Sequence, residues 1–568
     1  MQTMETNMGG PHDNYVGKIM SLAPDHLLII LQLLPAPSVL SFSMTCRHFQ
    51  ALAENDAVWY RLCKLDWGAE AVDGDDGSGL ALLRRRRQGW MHVYREVATL
   101  RSATWRRVSL GDVLPRSRAS SIICLVSKRL ILFGGGSSGG RHLDDTWIMD
   151  AGQLLLTPTL HHGQGSNLWS RICEDRSPPG RFGHMGTAMG KMLLLFGGFN
   201  DTGMRLSDTW ICELRSSSAG VGVEGEGNSA EESWSWRQVD VRAAPPARGA
   251  HAGSFVPGGK VVIFGGINDT GVRLCDTWLL DLEHNPPCWQ EIRTVVRPPS
   301  RSGHTLSWVG GGQLVLFGGR SARFEVLNDL WLLDLEELPG PVWRELWPVR
   351  GRGERGGGGG DEDIEWPSPR AGHSATPVLG GRLVVIGGED KNMRRKSDTW
   401  ILDPRAWGES GYGGGGREGK EKDNKASAAG VVGNNDKLPP RCSTASSCMR
   451  GAGGGSNAGG GGRGGRFSGR KLWRRLKIRG DVPRRRSFHS ACALEGGCSI
   501  VVFGGMVDGE LSPQATRGLE FNGDMFVLQL VPKLQIDKMP STIALENASE
   551  EIDFSLGTRD KLELHRED

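Results

Sequence analysis

The chain has 568 residues and a formal net charge of +3, and 83 of its residues are glycine, about twice the usual share. No Gly-X-Y period runs through it, which excludes collagen, and 38% hydrophobic content with 19 Trp excludes global disorder. The near-balanced charge predicts no general affinity for nucleic acid or anionic membrane. The 11 Cys are scattered without a Cys-x-x-Cys pair, which argues against a disulfide framework or a zinc site and fits a reducing compartment. No apolar stretch opens the chain, so no signal peptide is expected, and the longest apolar run, Leu27–Leu34, is too short to span a bilayer. The expectation is a soluble intracellular protein of several domains, in the nucleus, the cytoplasm or both.

In chain order, residues 1–19 carry no pattern and are expected to be disordered. In residues 20–67, Leu27, Ile30, Leu31 and Leu34 fall at i, i+3, i+4 and i+7, which predicts an amphipathic helix after Pro24. Pro35 and Pro37 end it, and Ser38 is placed to cap a second helix carrying Val39, Leu40, Phe42 and Met44. A third helix should carry Trp59, Leu62 and Cys63. So short a set of helices buries too little area to be robust alone and gains stability from a partner. Leu22, Pro24, Leu27, Leu28, Leu31, Leu34, Leu40, Cys46, Arg47 and Phe49 together resemble the F-box, although Ala23 separates the usual Leu-Pro pair. The resemblance implies docking on a Skp-type adaptor and, through it, a cullin, in a helix-in-groove mode. The implied contact residues are Leu22, Pro24, Leu27, Leu28, Leu31, Leu34, Leu40, Cys46, Phe49 and Trp59. Residues 68–101 read as an acidic glycine linker followed by a basic helical connector near Leu80–Arg101. Within it, Trp90–Tyr94 resembles the helix that often trails an F-box.

From residue 102 to 532 one three-part pattern recurs six times. An apolar run ends in a glycine doublet, at Gly134, Gly197, Gly265, Gly318, Gly387 and Gly504. Twelve residues beyond the second glycine stands the Trp of Asp-x-Trp, at Trp147, Trp210, Trp278, Trp331 and Trp400; in the sixth copy Phe526 follows after 21. Arg-x-x-His precedes each doublet, except that the first copy pairs Arg118 with Ser121. A further Trp (105, 169, 236, 289, 343, 473) precedes each copy. Four or five consecutive apolar residues predict a strand buried on both faces, as in radially stacked sheets. The doublet permits positive φ at the turn, and Trp fills the wedge between sheets. These repeats resemble the kelch repeat, which implies a mainly β fold, a six-bladed propeller of four-stranded blades behind a small all-α F-box. The N-terminal Trp105 segment should supply the last strand of the last blade and leave no open edge. Two inserts, 350–363 and 408–469, are glycine-rich and aperiodic and are expected to be disordered loops. Residues 533–568 form an acidic tail.

Alternate loops of such blades share a face. Those after Gly-Gly carry Arg141, Arg205, Arg273, Arg323, Arg394 and Arg395. This predicts a basic rim for an acidic or phosphorylated protein substrate. The alternative is solvated charge, or pairing with the nearby Asp208, Asp276 and Asp398. One His per copy reads as repeat structure rather than a metal site, and no catalytic motif, metal site or cofactor site is present in the sequence pattern. With about twenty residues before the F-box, the flavin-binding LOV domain of related plant kelch proteins is not expected. The arginine–glycine tract Gly461–Phe467 resembles RNA-binding tracts but reads as filler. The basic runs Arg84–Arg87 and Arg470–Arg486 could serve nuclear import. The F-box with kelch order implies the non-catalytic substrate receptor of an SCF-type ubiquitin ligase. The alternative is a kelch scaffold acting outside ubiquitination, on cytoskeleton or RNA.

Overall fold

The computed structural model describes residue 19 and residues 22–73, 89–156, 167–172, 176–215, 233–346, 365–406, 471–509 and 519–531. The chain falls into two compact units, Met1–Pro404 with Trp473–Asp568, and Arg405–Leu472. Of the second, residues 405–406 and 471–472 are described. The expected disorder of residues 1–18 and of both inserts, the Arg84–Arg87 run, the Gly461–Phe467 tract and the acidic tail lie outside the described residues.

The N-terminal module is helical. Helix α1, Pro24–Leu33, starts on the proline, whose fixed φ and missing N–H suit a first turn. Then come α2 (Ala36–Ser43), α3 (Arg47–Ala53), α4 (Asp56–Trp67), α5 (Ala69–Asp73) and, in the connector, α6 (Gly89–Thr99). Helix α2 begins two residues before the expected Ser38 cap, because Pro37 sits in its first turn, where no amide is needed. Helix α3 was not anticipated, since its seven residues are too few to show a period. Asn55 caps α4 by accepting a hydrogen bond from the Ala57 amide at 2.9 Å.

Six sheets follow, each built on four antiparallel strands; Arg301–Ser302 adds a short fifth strand to blade 4 and Arg479–Gly480 a parallel one to blade 6, and Arg486–Ser487, Met506–Asp508 and Leu519–Phe521 form a small separate sheet. Blade 1 is Ile122–Val126, Arg129–Phe133, Thr146–Asp150 and Trp169–Ile172. Blades 2 to 5 begin at Met185–Met189, Ala252–Val256, Thr305–Gly310 and Ser374–Val378, and end at Ser233–Val239, Cys288–Ile292, Val342–Leu346 and Trp473–Leu476. Blade 6 is Ser490–Leu494, Ser499–Phe503 and Met525–Gln529, completed by the N-terminal strand Thr104–Arg107, which pairs Trp105 with Leu528. The closure expected from sequence is therefore the closure found. Each innermost strand packs against that of the next blade, and blade 6 returns to blade 1. Leu130, Ile131, Leu132 and Phe133 are wholly buried, as a strand covered on both faces must be. Each outer Trp fills the wedge toward its neighbour: Trp236 of blade 2 lies 5.0 Å from Phe133 of blade 1, and Trp289 of blade 3 lies 4.8 Å from Phe196 of blade 2.

The three parts of the repeat form one network. The motif arginines Arg118, Arg181, Arg248, Arg301 and Arg370 have no exposed surface. Arg248 is representative. Its Nη1 and Nη2 donate to the two carboxylate oxygens of Asp276 at 2.8 Å each, Nη1 also to Gly265 O at 3.1 Å, and Nε to Pro246 O at 3.0 Å. Trp278 Nε1 donates to the same carboxylate at 2.7 Å. Buried charge is tolerated because the donors are matched. Blade 6 breaks the rule. Phe526 has no indole N–H, Asp524 turns to Arg107 at 2.5 Å, and Arg486 is left with its Nη2 buried and unpaired. Burial pushes the Arg486 guanidinium down to about 10 despite the Asp524 charge nearby.

A second ring closes the doublet face. The third residue of each Arg-x-x-His has φ between +52° and +64° (Ser120, Gly183, Ala250, Gly303, Gly372, Phe488). Its amide donates to the carbonyl of its counterpart in the adjacent blade, at 2.6–3.1 Å, and the six bonds run from Ser120 through Phe488 and back without a gap. Left-handed backbone explains glycine at three of these positions.

Candidate functional site

Two surfaces emerge. On the helical module, Leu27, Leu31, Phe49 and Trp59 are buried and Leu28 and Leu34 partly so, packed in the core. Leu27, Leu31, Phe49 and Trp59 are thus taken up by the module's own packing, while Leu28 and Leu34 keep part of their surface accessible. Leu22, Pro24, Leu40 and Cys46 are exposed as a docking role requires. Beside them the structure exposes apolar side chains absent from the expected set: Ile29, Ile30, Leu33 at 67% and Met44 at 77%. The helical period placed Ile30 in the core, because the exposed and buried faces of α1 are both apolar.

The module shares one hydrophobic core with blades 5 and 6. Tyr94 of α6 lies 5.1 Å from Trp59 and 4.7 Å from Trp67, and its hydroxyl donates to Asp66 at 2.5 Å. The C-terminal carbonyls of α6 are capped from the propeller. Arg382 Nη1 donates to Val97 O at 3.0 Å and Arg474 Nη1 to Thr99 O at 2.6 Å, a favourable use of cations at a helix C-terminus. A Cβ on Gly380 would meet the Asp66 carbonyl and the Trp67 ring at 2.8 Å. Leu379–Gly381 joins the first two strands of blade 5, so the module lies on the face opposite the glycine doublets.

The doublet face holds the expected arginine rim, unevenly. Arg141, Arg323 and Arg394 are exposed, while Arg205 and Arg273 are half-buried. Arg205 lies over the Phe199 ring at 5.2 Å and Arg273 over Phe324 at 4.4 Å. Arg395 is buried and committed to Asp508 at 2.6 Å and Glu389 at 3.8 Å, so it offers no free cation. Asp208, Asp276 and Asp398 do not neutralise the rim, because Arg181, Arg248 and Arg370 take them. Sequence reasoning missed Phe182, Phe199, Arg320 and Phe324. Phe182, Phe199 and Arg320 occupy positions inside Arg-x-x-His or just after Gly-Gly that differ from blade to blade, which an alignment of the repeats on one another would have shown.

The histidines are structural. His184, His251 and His489 are pushed down to about 3, by burial first and then by Arg181, Arg248 and Arg486 respectively. Phe133 meets His184 edge-on at 5.6 Å, and Phe196 meets His251 at 5.5 Å. Among the described residues no group of three His, Cys, Asp or Glu could hold a metal ion, and no helix is long and apolar enough to cross a membrane.

Comparison with known proteins agrees with both halves. An F-box-like family model matches residues 24–65, and the KLHDC2/KLHL20/DRC7 Kelch-repeats domain matches residues 228–356. The F-box/kelch-repeat protein At1g51550 of Arabidopsis thaliana is 36% identical over 531 residues, 90% of this chain and 92% of its own length. The chain belongs to the F-box/kelch-repeat family. Adagio protein 3 of Arabidopsis thaliana is 30% identical over 398 residues, and Adagio-like protein 1 of Oryza sativa 30% over 381. The chain spans 57% and 54% of those two proteins. An F-box joined to kelch repeats supports, in general terms, a ubiquitin-ligase substrate adaptor, and F-box domains generally bind Skp1-type adaptors.

Proposed function

We propose that this F-box/kelch protein is the substrate-recognition subunit of an SCF-type ubiquitin ligase. The exposed apolar side chains of α1 and α2, with Met44, dock a Skp-type adaptor and through it a cullin. The doublet face of the propeller holds a protein substrate, acidic or phosphorylated, for ubiquitination and degradation. The chain carries out no bond chemistry and needs no cofactor. It holds the substrate near a ubiquitin-charged enzyme, so that transfer becomes effectively intramolecular. Action in the nucleus, the cytoplasm or both is part of this reading.

The observation that carries it is the shared core, which fixes the F-box on the face opposite the glycine doublets. A receptor of this kind needs its two partners at a set separation, and Arg382, Arg474 and the α4–α6 aromatic cluster supply that rigidity. The test is proximity labelling in cells with the proteasome inhibited, comparing wild type with Leu33→Asp plus Met44→Asp. These two side chains are exposed, so the fold survives their replacement. The expected result is a set of ubiquitinated neighbours present with wild type and lost with the variant. An identical set would overturn the ligase reading and favour a scaffold.

A further inference from the structure

The doublet face is not uniform. Blade 1 presents Ala119 and Gly136 at its two central positions, which offer no grip. At blade 5, Glu389 sits between Arg320 at 3.2 Å and Arg395 at 3.8 Å, and Arg395 also binds Asp508. That side is electrostatically closed. Blades 2 to 4 differ. Phe182 stacks on Phe199 at 4.9 Å, and Arg205 lies over the Phe199 ring. The Phe199 ring lies so close over Gly249 that a Cβ there would come within 2.1 Å of it. One blade further on, Arg273 lies over Phe324, donates from Nε to Ser302 Oγ at 3.0 Å, and has no carboxylate partner among the described residues. Burial, and after it the charge of Arg320, lowers its pKa. Phe324 is 66% exposed and holds φ +63°, a left-handed conformation that is an outlier for a bulky residue and tends to persist at functional positions.

We propose that Phe182, Phe199, Arg205, Arg273 and Phe324 form one recognition site for an extended protein segment that carries a carboxylate next to an aromatic or aliphatic side chain. The inference rests on the substrate-receptor reading and narrows it from a ring-wide rim to one sector. An aromatic ring backing an arginine holds the guanidinium in place while leaving its N–H edge free for an oxyanion. The stacked Phe182 and Phe199 offer the neighbouring side chain a rigid apolar platform. Asp201 and Asp269 on the blade 2 and 3 loops, with the exposed Glu325, repel a nucleic-acid backbone or a phosphate dianion more than a single carboxylate.

The test pans a random dodecapeptide display library on the full chain, then measures a synthetic copy of the enriched sequence. The expected sequence has Asp or Glu within two residues of Phe, Tyr, Trp or Leu. Its binding should fall at least tenfold with Arg273→Glu and with Phe324→Ala, stay unchanged with Arg141→Glu, and weaken when phosphoserine replaces the carboxylate. Thermal melting of each variant confirms that the fold is intact. Enriched peptides lacking a carboxylate, no enrichment at all, binding indifferent to Arg273→Glu, or Arg273-dependent capture of a single-stranded 20-mer in their place would each overturn the site. Adaptor binding by the same preparations reports separately on the ligase reading.

Discussion

Replacing Asp276 by Ala should destabilise the propeller far more than the same change at Asp524, although the two occupy equivalent positions in the repeat. Asp276 accepts both ends of the Arg248 fork and the Trp278 indole. Burial alone would raise its pKa, but Arg248 and Trp278 outweigh that and hold it below the usual carboxylate range. Its loss strands a guanidinium with no exposed surface. Removing one partner of such a buried pair costs about 3–5 kcal/mol. At about 2 °C per kcal/mol for a large domain, the melting temperature should fall by roughly 6–10 °C. Asp524 instead meets Arg107, whose side chain is 63% exposed, and an exposed pair contributes under about 1 kcal/mol. Calorimetric or fluorescence melting of the two variants side by side is the assay. Equal losses, or a larger loss for Asp524→Ala, would refute the claim that the Arg–Asp–Trp network locks five blades and not the sixth.

Acidification gives another test. In the unfolded chain the blade histidines titrate near 6.5, whereas His184, His251 and His489 stay neutral in the fold down to about 3. Below pH 6.5 the unfolded state therefore binds protons that the native state refuses. Stability should fall as pH drops toward 3, by up to about 1.4 kcal/mol per pH unit for each histidine. Urea midpoints at pH 7.5 and 5.0 measure this, and His251→Ser, the residue blade 1 carries naturally, should flatten the dependence. Arg382→Ala with Arg474→Ala should uncap α6 and raise amide exchange over residues 89–99 while leaving blades 2 and 3 protected; unchanged exchange would show that the caps do not couple the two parts. Gly197→Ala should cost more than about 1 kcal/mol, because φ is +65° and its Cβ would meet the Arg248 carbonyl at 2.7 Å. Gly271→Ala, at φ +78° with open space around it, should cost less.

The blades were legible because each repeats one solution. Doublet, Arg-x-x-His and Asp-x-Trp recur at fixed spacing since all three meet in a single hydrogen-bond network, as at Arg248, Gly265, Asp276 and Trp278. The closing strand could be counted from the Trp105 segment for the same reason. The F-box contact face was less legible. Helix α1 is apolar on both sides, so period alone does not separate Leu31, which is buried, from Leu33, which is not. The joint between module and propeller left no pattern, because Gly380 and Arg382 are far in sequence from Asp66, Trp67 and Val97, which they meet only in three dimensions. The aromatic sector on the doublet face was hidden by the regularity that revealed the blades, since Phe199 and Arg320 stand where the repeats disagree.

In the proposed function, the exposed apolar face of the F-box docks a Skp-type adaptor on the side opposite the glycine doublets. The direct measurement is the affinity of the purified full-length chain for a purified Skp-type adaptor, by calorimetry. Wild type should bind with a Kd in the micromolar range or tighter. Leu33→Asp with Met44→Asp should weaken binding at least a hundredfold, about 2.7 kcal/mol, with an unchanged melting temperature. No binding by the folded wild type, or equal binding by the variant, would contradict the account.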